Sequence, residues 1–458
     1  MMKGAVANVI EAMGNTPIVK LNSIDRDVPS DIYVKLEYLN PGGSVKDRPA
    51  LQIINDAEEN GTLVPGGTIV EATSGNTGMG LAMVSAIRGY KTIFVMPDKM
   101  SEEKIASLRA FGSKVVVCPT NVAPDDPRSY YCVSKRLAEE TPNAILANQY
   151  HNPSNPKAHY LTTGPEIWEQ TGGEIDVFVS SMGTGGTISG IAKYLKEQNP
   201  KIRIVGVDPI GSIYYDYFRT GRITTAHSYR VEGFGEDFIP STMDFSHVDE
   251  VIRVSDKECF QWTRRLVREE GIYTGGSAGG AICASYRYAK RSGKKENIVT
   301  IMCDSASRYL SKIFNDTWMR EGGYLDPDMG QETVGDLLAR QTGQLIYVEP
   351  DTTFADVIEQ MKHHGISQLP VIRDGRMEGI ISEVDLLNAL IEKRAELSTS
   401  IDGFLDNNFA LVESHNRTSL LSQLFAQGKI VIVEDQGSVV GILTKIDFID
   451  WISSRISG

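Results

Sequence analysis

A lysine stands in a setting that suggests chemistry in the stretch Asn40-Pro41-Gly42-Gly43-Ser44-Val45-Lys46-Asp47-Arg48. Pro41 and the two glycines spell a tight turn; a strand-like run at 32–37 enters it and a helix-like run at 50–57 leaves it. Lys46 then falls near a helix N-terminus, where unpaired backbone N–H groups and the dipole oppose a positive charge. A lysine with a depressed pKa spends more time as the free amine, the form that attacks a carbonyl to make a Schiff base. Taken alone the stretch favours a solvated lysine, because Gly-Gly turns before helices are common. Two later loops bear on that choice. Thr73-Ser74-Gly75-Asn76-Thr77-Gly78 follows a strand-like run at 68–72, and Gly183-Thr184-Gly185-Gly186-Thr187 follows one at 177–181. Each opens a helix, the second from Ile188. A glycine-rich loop between strand and helix either collects backbone N–H groups around an anion or simply makes the turn.

The elements that must position these residues read as α/β. Strand-like and helix-like runs alternate from residue 32 onward. Runs at 92–97 and 114–118 are continuously apolar and bounded by turn residues, as strands buried on both faces of a parallel sheet are. Runs at 202–208 and 297–302 repeat the pattern, and ligands are expected at the carboxyl ends of such strands. A short helix is predicted at 9–13. The chain has 458 residues, too many for one compact domain. Its 41% hydrophobic and 23% charged residues are those of an ordinary soluble protein. The net charge of −13 argues against nucleic acid or an anionic membrane as the main partner. No apolar run reaches membrane-spanning length and no signal pattern opens the chain, so a cytoplasmic protein is expected. The five cysteines lack Cys-x-x-Cys spacing and the seven histidines do not cluster, so neither a disulfide framework nor a metal site is expected.

Five motifs in order strengthen the chemical reading: residues 14–21 (Gly-Asn-Thr-Pro-Ile-Val-Lys-Leu), 44–48, 73–78, 183–187, and Gly275-Gly276-Ser277-Ala278-Gly279. Together they resemble the β-family, or fold-type II, of pyridoxal-phosphate enzymes, in the branch of the cystathionine β-synthases and cysteine synthases. The resemblance runs from about residue 14 to about residue 322. It implies a two-lobed α/β catalytic domain over 1–322, with a mobile lobe at about 75–148 and the cofactor between the lobes. It implies that Lys46 bonds pyridoxal 5′-phosphate and then takes the Cα proton of the substrate. Gly183, Thr184, Gly185, Gly186 and Thr187 correspond to the phosphate cradle, Asn76 to the partner of the ring hydroxyl, and Ser277 to the residue facing the pyridine nitrogen. Thr73, Ser74, Gly75, Thr77 and Gln149 correspond to contacts of the substrate carboxylate, and Tyr150 and Gly233 to further substrate-binding residues. The alternative for Ser277 is a helix cap, and for Gln149 a plain loop residue.

The implied reaction joins L-serine and L-homocysteine into cystathionine and water, with hydrogen sulfide released when cysteine replaces serine. Cysteine synthase chemistry, from O-acetylserine and sulfide, is the alternative within the family. Stretches 100–104, 119–127, 148–150, 237–240 and 304–305 look like the cystathionine-forming branch. In Gly233-Phe234-Gly235-Glu236-Asp237 the chain departs from that branch, whose animal and yeast members carry tyrosine at the position of Glu236. Glu236 then either meets the amino group of homocysteine or points to solvent. No haem is expected, because only about a dozen residues precede Gly14 and Glu197-Gln198-Asn199-Pro200-Lys201 replaces the Cys-x-x-Cys of the animal enzymes.

The character changes at Glu321-Gly322-Gly323-Tyr324-Leu325-Asp326-Pro327, which reads as a linker over 323–332. After it, 369–387 recurs as 430–449, a two-copy repeat of helix–strand–turn–strand–helix. The repeat resembles a tandem pair of CBS domains, at 333–395 and 396–458. The resemblance implies an adenosine-containing effector held by Ser382 and Asp385 in the first copy and Thr444 and Asp447 in the second. The same residues read as helix N-caps with a capping-box partner three positions on. A homodimer or higher homo-oligomer is expected. A reading of another class makes the chain a non-catalytic adenosine-nucleotide sensor, which has no need of Lys46.

Overall fold

The continuous apolar runs become the strands of two sheets. A six-stranded sheet has the order Ile18–Lys20, Asp31–Lys35, Asn297–Ile301, Val177–Ser181, Arg203–Pro209, Glu250–Val254. Only its first pair is antiparallel. A four-stranded parallel sheet has the order Lys114–Cys118, Lys91–Pro97, Thr68–Ala72, Ala144–Leu146. The computed structural model describes residues 2, 4–73, 75–98, 100, 102–120, 122, 126–325, 332–341 and 345–456. It divides into two units, Met1–Leu325 and Asp326–Gly458, and both sheets lie in the first.

Strands Thr68–Ala72 and Val177–Ser181 are buried at every position, as their unbroken apolar runs require. Alternate residues feed separate cores: Val177 and Val179 pack with Ile282 and Ile298 on one face, while Phe178 packs with Ile188 and Ile204 on the other. The run at 114–118 does not follow this rule. Lys114–Cys118 is an edge strand with Val117 exposed, because hydrogen-bonding on one side leaves one flank without a neighbour. The smaller sheet includes Thr68–Ala72, so its lobe begins earlier than residue 75. The predicted helix at 9–13 is a 3-10 turn, Val9–Ala12.

Three helices start at the carboxyl ends of central strands and aim their first turns at one place: Asn76–Arg88, Gly186–Gln198 and Gly276–Ser292. Each starts on glycine or just after it. The second begins at Gly186, two residues before the expected Ile188, since Gly185 (φ +84°) already makes the turn. A fourth helix, Asp47–Glu59, begins right after Lys46. Its start is pinned by Arg48, which donates from Nε to Glu37 at 2.7 Å and from Nη1 to Glu166 at 2.6 Å. Fully buried Lys35 pairs with the same Glu166 at 2.8 Å. Asp47 accepts from the Gly42 N–H at 2.5 Å and closes the turn. The Arg48, Lys35, Glu37 and Glu166 charges are buried but paired, which is what makes their burial tolerable.

The second unit holds two hairpins of the same make. Gln368–Arg373 pairs with Arg376–Ser382, and Ile430–Asp435 pairs with Ser438–Leu443. Both turns have two successive residues at positive φ, Asp374-Gly375 and Gln436-Gly437, as two-residue hairpin turns demand. A strand not read from the sequence, Phe409–Glu413, adds in parallel to the second hairpin. The two copies are not packed as consecutive blocks. The capped helix Val334–Leu338 joins the core of the second copy with Val412, Leu421 and Trp451. Ile401 in turn joins the core of the first copy with Phe354 and Leu369.

Candidate active site

The loops after the central strands enclose a cavity of about 330 Å³. That is the lower end of the range for small-molecule and cofactor sites. Lys46, Thr73, Gly75, Asn76, Thr77, Gln149, Tyr150, Gly183, Thr184, Gly185, Thr187, Gly233, Glu236 and Ser277 all line it. Ser74 lies outside the described residues. Gly186 does not line the cavity: it begins its helix, and a Cβ there would collide with the Asn155 amide.

Lys46 Nζ enters this space without a partner; among the described residues none accepts a hydrogen bond from it or pairs with it. Its pKa is lowered, chiefly by burial, while Cys303, Asp304 and Glu236 pull the other way. The direction agrees with the sequence reading, but the cause is desolvation more than the helix end.

In the glycine loop, a Cβ at Gly183 would press on the Gly233 carbonyl at 2.8 Å, and one at Gly185 would run into Met243. Glycine here lets the loop pack tightly against the segment behind it. The first N–H groups of helix Gly186–Gln198 have no intrahelical acceptors and suit an anion. Thr184 Oγ1 accepts from Asn155 Nδ2 at 3.0 Å. Thr187 Oγ1 lies 3.2 Å from Nε2 of His159, a buried ring kept neutral because burial pushes its pKa well down. His159 opens a π-helical turn, His159–Thr163, whose wider ring swings it toward the loop.

On the facing side, Thr77 Oγ1 donates to Gln149 Oε1 at 2.6 Å. Gln149 and Asn148 are held through their backbone N–H groups by Glu71, whose carboxyl burial pushes up to about 7. Ser277 is not a cap: Gly275 is the N-cap residue, and the buried Ser277 hydroxyl sits beside the Cys303 thiol. Glu236 faces the cavity rather than solvent. Burial raises its carboxyl to about 8, opposed by the Tyr150 hydroxyl and Lys46.

Residues of the site that the sequence did not single out for a role are Cys303, Asp304, Tyr309, Lys104 and Glu232. Cys303 and Asp304 follow strand Asn297–Ile301, so the rule that ligands sit at strand carboxyl ends was a usable signal. Asn76 Oδ1 is buried with no hydrogen-bond partner, and Asp304 Oδ1 likewise. An uncommitted amine, an anion-binding loop and an Asn76 amide with one N–H to spare around one cavity fit an aldehyde that carries a phosphate and a ring oxygen.

The residues expected to hold an effector lie in the second unit, where Ser382 and Asp385 form a capping box and Thr444 bonds Asp447 at the start of the last helix. Ser382 Oγ accepts from the Asp385 N–H at 3.2 Å while Asp385 Oδ2 accepts from the Ser382 N–H at 3.0 Å. Thr444 donates to Asp447 Oδ2 from its N–H at 2.7 Å and its hydroxyl at 2.5 Å. Among the described residues no three His, Cys, Asp or Glu side chains are grouped to hold a metal ion, and no helix is long and apolar enough to cross a membrane.

Residues 9–304 match the family described as pyridoxal-phosphate dependent enzyme, and residues 334–392 match the CBS domain. The chain belongs to the pyridoxal-phosphate-dependent enzyme family. It is 38% identical over 462 residues to a cystathionine beta-synthase of Dictyostelium discoideum, covering 97% of this chain and 92% of that protein. It is 41% identical over 326 residues to cysteine synthase 1 of Emericella nidulans, covering 70% of this chain and 88% of that one. Among solved structures, the O-acetylserine dependent cystathionine beta-synthase from Helicobacter pylori is 40% identical, with a TM-score of 0.62 over 68% of this chain and 99% of that chain.

Proposed function

We propose that the protein condenses L-serine with L-homocysteine into L-cystathionine and water, using pyridoxal phosphate, and releases hydrogen sulfide when cysteine takes the place of serine. The observation that carries this reading is Lys46 Nζ, uncommitted and biased toward the neutral amine inside the cavity of Asn76, Ser277 and loop 183–187. Similarity over nearly the whole chain to a cystathionine beta-synthase, against 70% for a cysteine synthase, supports the choice of reaction.

In this reading Lys46 would hold the cofactor, loop 183–187 its phosphate, Asn76 its ring hydroxyl and Ser277 its ring nitrogen. When bound, the cofactor supplies an electron sink that acidifies the Cα–H of an amino acid. Lys46, biased toward the free amine by burial, takes that proton as general base and can return one to the departing hydroxyl. Ser277 is uncharged and leaves the ring nitrogen unprotonated, which favours loss of a β-substituent over transamination. Thr73, Ser74, Gly75, Thr77 and Gln149 bind the first substrate's carboxylate; the Thr77–Gln149 hydrogen bond fixes two of these groups relative to each other. Tyr150, Gly233 and Glu236 line the side where the thiol substrate enters, and ionised Glu236 meets its ammonium group.

A second reading, O-acetylserine as first substrate, is favoured by the Helicobacter pylori relative, whose enzyme is O-acetylserine dependent. Product analysis by mass spectrometry, with serine or O-acetylserine against homocysteine or sulfide, separates the two. Cystathionine from serine and homocysteine is expected. Turnover of O-acetylserine alone establishes the second reading, and no product from any pair contradicts both.

For the rest of the chain we propose a catalytic domain to residue 322, a linker over 323–332 and CBS copies at 333–395 and 396–458 in sequence, with helix Val334–Leu338 and Ile401 exchanged between their cores. Residues 326–331 of that linker lie outside the described residues. An adenosine-containing effector at Ser382–Asp385 or Thr444–Asp447 would have to bind with these hydrogen bonds in place or displace them; titration calorimetry with adenine nucleotides and S-adenosylmethionine tests it. Self-association is supported by matching exposed apolar pairs, Val384 with Leu387 and Ile446 with Ile449, on helices Glu383–Ile391 and Lys445–Ile456. A cytoplasmic location is supported by five cysteines, none of which forms a disulfide.

A further inference from the structure

Asp304 occupies a junction that the functional reading leaves unused. Its backbone bridges Ser44, two residues before Lys46, and its carbonyl accepts from the Gly275 N–H at 3.2 Å and Thr274 Oγ1 at 2.9 Å, just before Ser277. Its side chain is 2% exposed and lines the cavity. Asp304 Oδ2 accepts from Asn76 Nδ2 at 2.8 Å and from the Tyr309 hydroxyl at 2.7 Å. The room for this carboxylate comes from Gly275, where a Cβ would collide with Oδ1.

The consequence falls on Asn76. A primary amide presents two N–H donors on one side and an oxygen acceptor on the other, and only a neighbour decides which way it lies. Turned over, Asn76 would set Oδ1 against Asp304 Oδ2, acceptor against acceptor. With Nδ2 toward Asp304, one of its hydrogens is engaged and the second has no protein acceptor among the described residues. Buried Asn76 Oδ1 goes unsatisfied, a cost that the hydrogen bond to a carboxylate offsets. Burial raises the Asp304 pKa, while the two donated hydrogen bonds and the charges of Arg308 and Lys104 oppose that rise.

We propose that Asp304 is a positioning residue: by accepting from Asn76 it locks the amide so that the remaining N–H, not the carbonyl, is offered to the ring oxygen of the bound cofactor. This rests on the pyridoxal-phosphate reading of the site and adds to it the group that decides the charge on that oxygen. An N–H donor favours the ionised ring oxygen, whereas an acceptor favours the protonated one.

The test is the absorption spectrum of the holoenzyme, which reports the protonation of the ring oxygen independently of turnover. Asp304→Asn is nearly isosteric, but its own amide can donate as well as accept, so the lock is lost. The ratio of the visible to the near-ultraviolet cofactor band is expected to fall about tenfold, as for loss of one hydrogen bond to an ionised group. Bound cofactor per chain should stay as in the wild type. On an Asn76→Ala background the same change should produce no further shift. Should D304N not yield folded holoenzyme, D304S, which is too short to reach the amide, carries the same expectation. An unchanged spectrum at full occupancy overturns the proposal. So does a shift of equal size on the Asn76→Ala background, which would mean that the carboxylate acts on the ring directly. If the wild-type protein takes up no pyridoxal phosphate, the functional reading falls and this inference with it; an unchanged D304N spectrum sinks the inference alone.

Discussion

Two ionisable side chains in the cavity have pKa values moved by burial in opposite senses of charge. Lys46 is pushed toward the neutral amine and Glu236 toward the neutral acid. For Glu236 the shift reaches about 8, so the group becomes a carboxylate only as pH rises through that value. If it meets the ammonium of the thiol substrate, the KM for homocysteine falls as pH rises from 7 to 9. Glu236→Gln should abolish that trend and weaken binding at pH 9 by about tenfold, the effect of one charge-assisted hydrogen bond. A pH profile of KM for variant and wild type checks it; parallel profiles would contradict the assignment. At this scale the sequence was informative where function hangs on backbone motifs. Lys46, Asn76 and Ser277 stand on glycine turns that any reader can find. The place of Asp304 after a strand was legible but its role was not, because what makes it matter is contact with Asn76, 228 residues away.

At the scale of elements, the strands that were read fall almost to the residue, while Ala144–Leu146, Glu250–Val254 and Phe409–Glu413 were not read. Thr68–Ala72, Val177–Ser181 and Lys114–Cys118 are short apolar runs between turn residues, and that signal is local. Edge position is not local, so the exposure of Val117 could not be read. Nor could the exchange of Val334–Leu338 and Ile401 between the two cores of the second unit, which depends on long-range packing. One link between elements has consequences for access. Glu232, at the cavity, accepts from Lys104 Nζ at 2.7 Å and from Lys312 Nζ at 2.5 Å. Lys104 belongs to helix Glu102–Ala110, beside the smaller sheet, while Lys312 lies beyond the 3-10 turn Ala306–Tyr309 that follows the larger one. The carboxylate therefore ties the two lobes, and both lysines hold its pKa below the usual range. Glu232→Gln removes the charge and leaves two ammonium groups facing one amide. Faster amide hydrogen exchange in residues 102–110 is expected, with a several-fold rise in KM for both substrates. Unaltered exchange would show that the lobes are held by other contacts.

At the scale of the whole molecule, the first unit contains every residue of the candidate site and has its own cores on both faces of the larger sheet. A chain ending at residue 325 should therefore fold, keep its cofactor and show a single thermal transition. The full chain should show a second transition from the unit beyond it. Differential scanning calorimetry of both checks this; a truncated chain that aggregates or loses the cofactor would contradict it. An effector acting through the second unit changes activity only by the difference in its affinity for two arrangements of the chain, so the truncated chain should be indifferent to it.

The most direct measurement addresses Lys46. The holoprotein is reduced with borohydride, digested, and its peptides are weighed. The peptide containing Lys46 should gain the mass of one reduced pyridoxyl phosphate, and Lys46→Ala should carry none at any position. A label on another lysine, or no label on protein that has been saturated with the cofactor, would contradict the account.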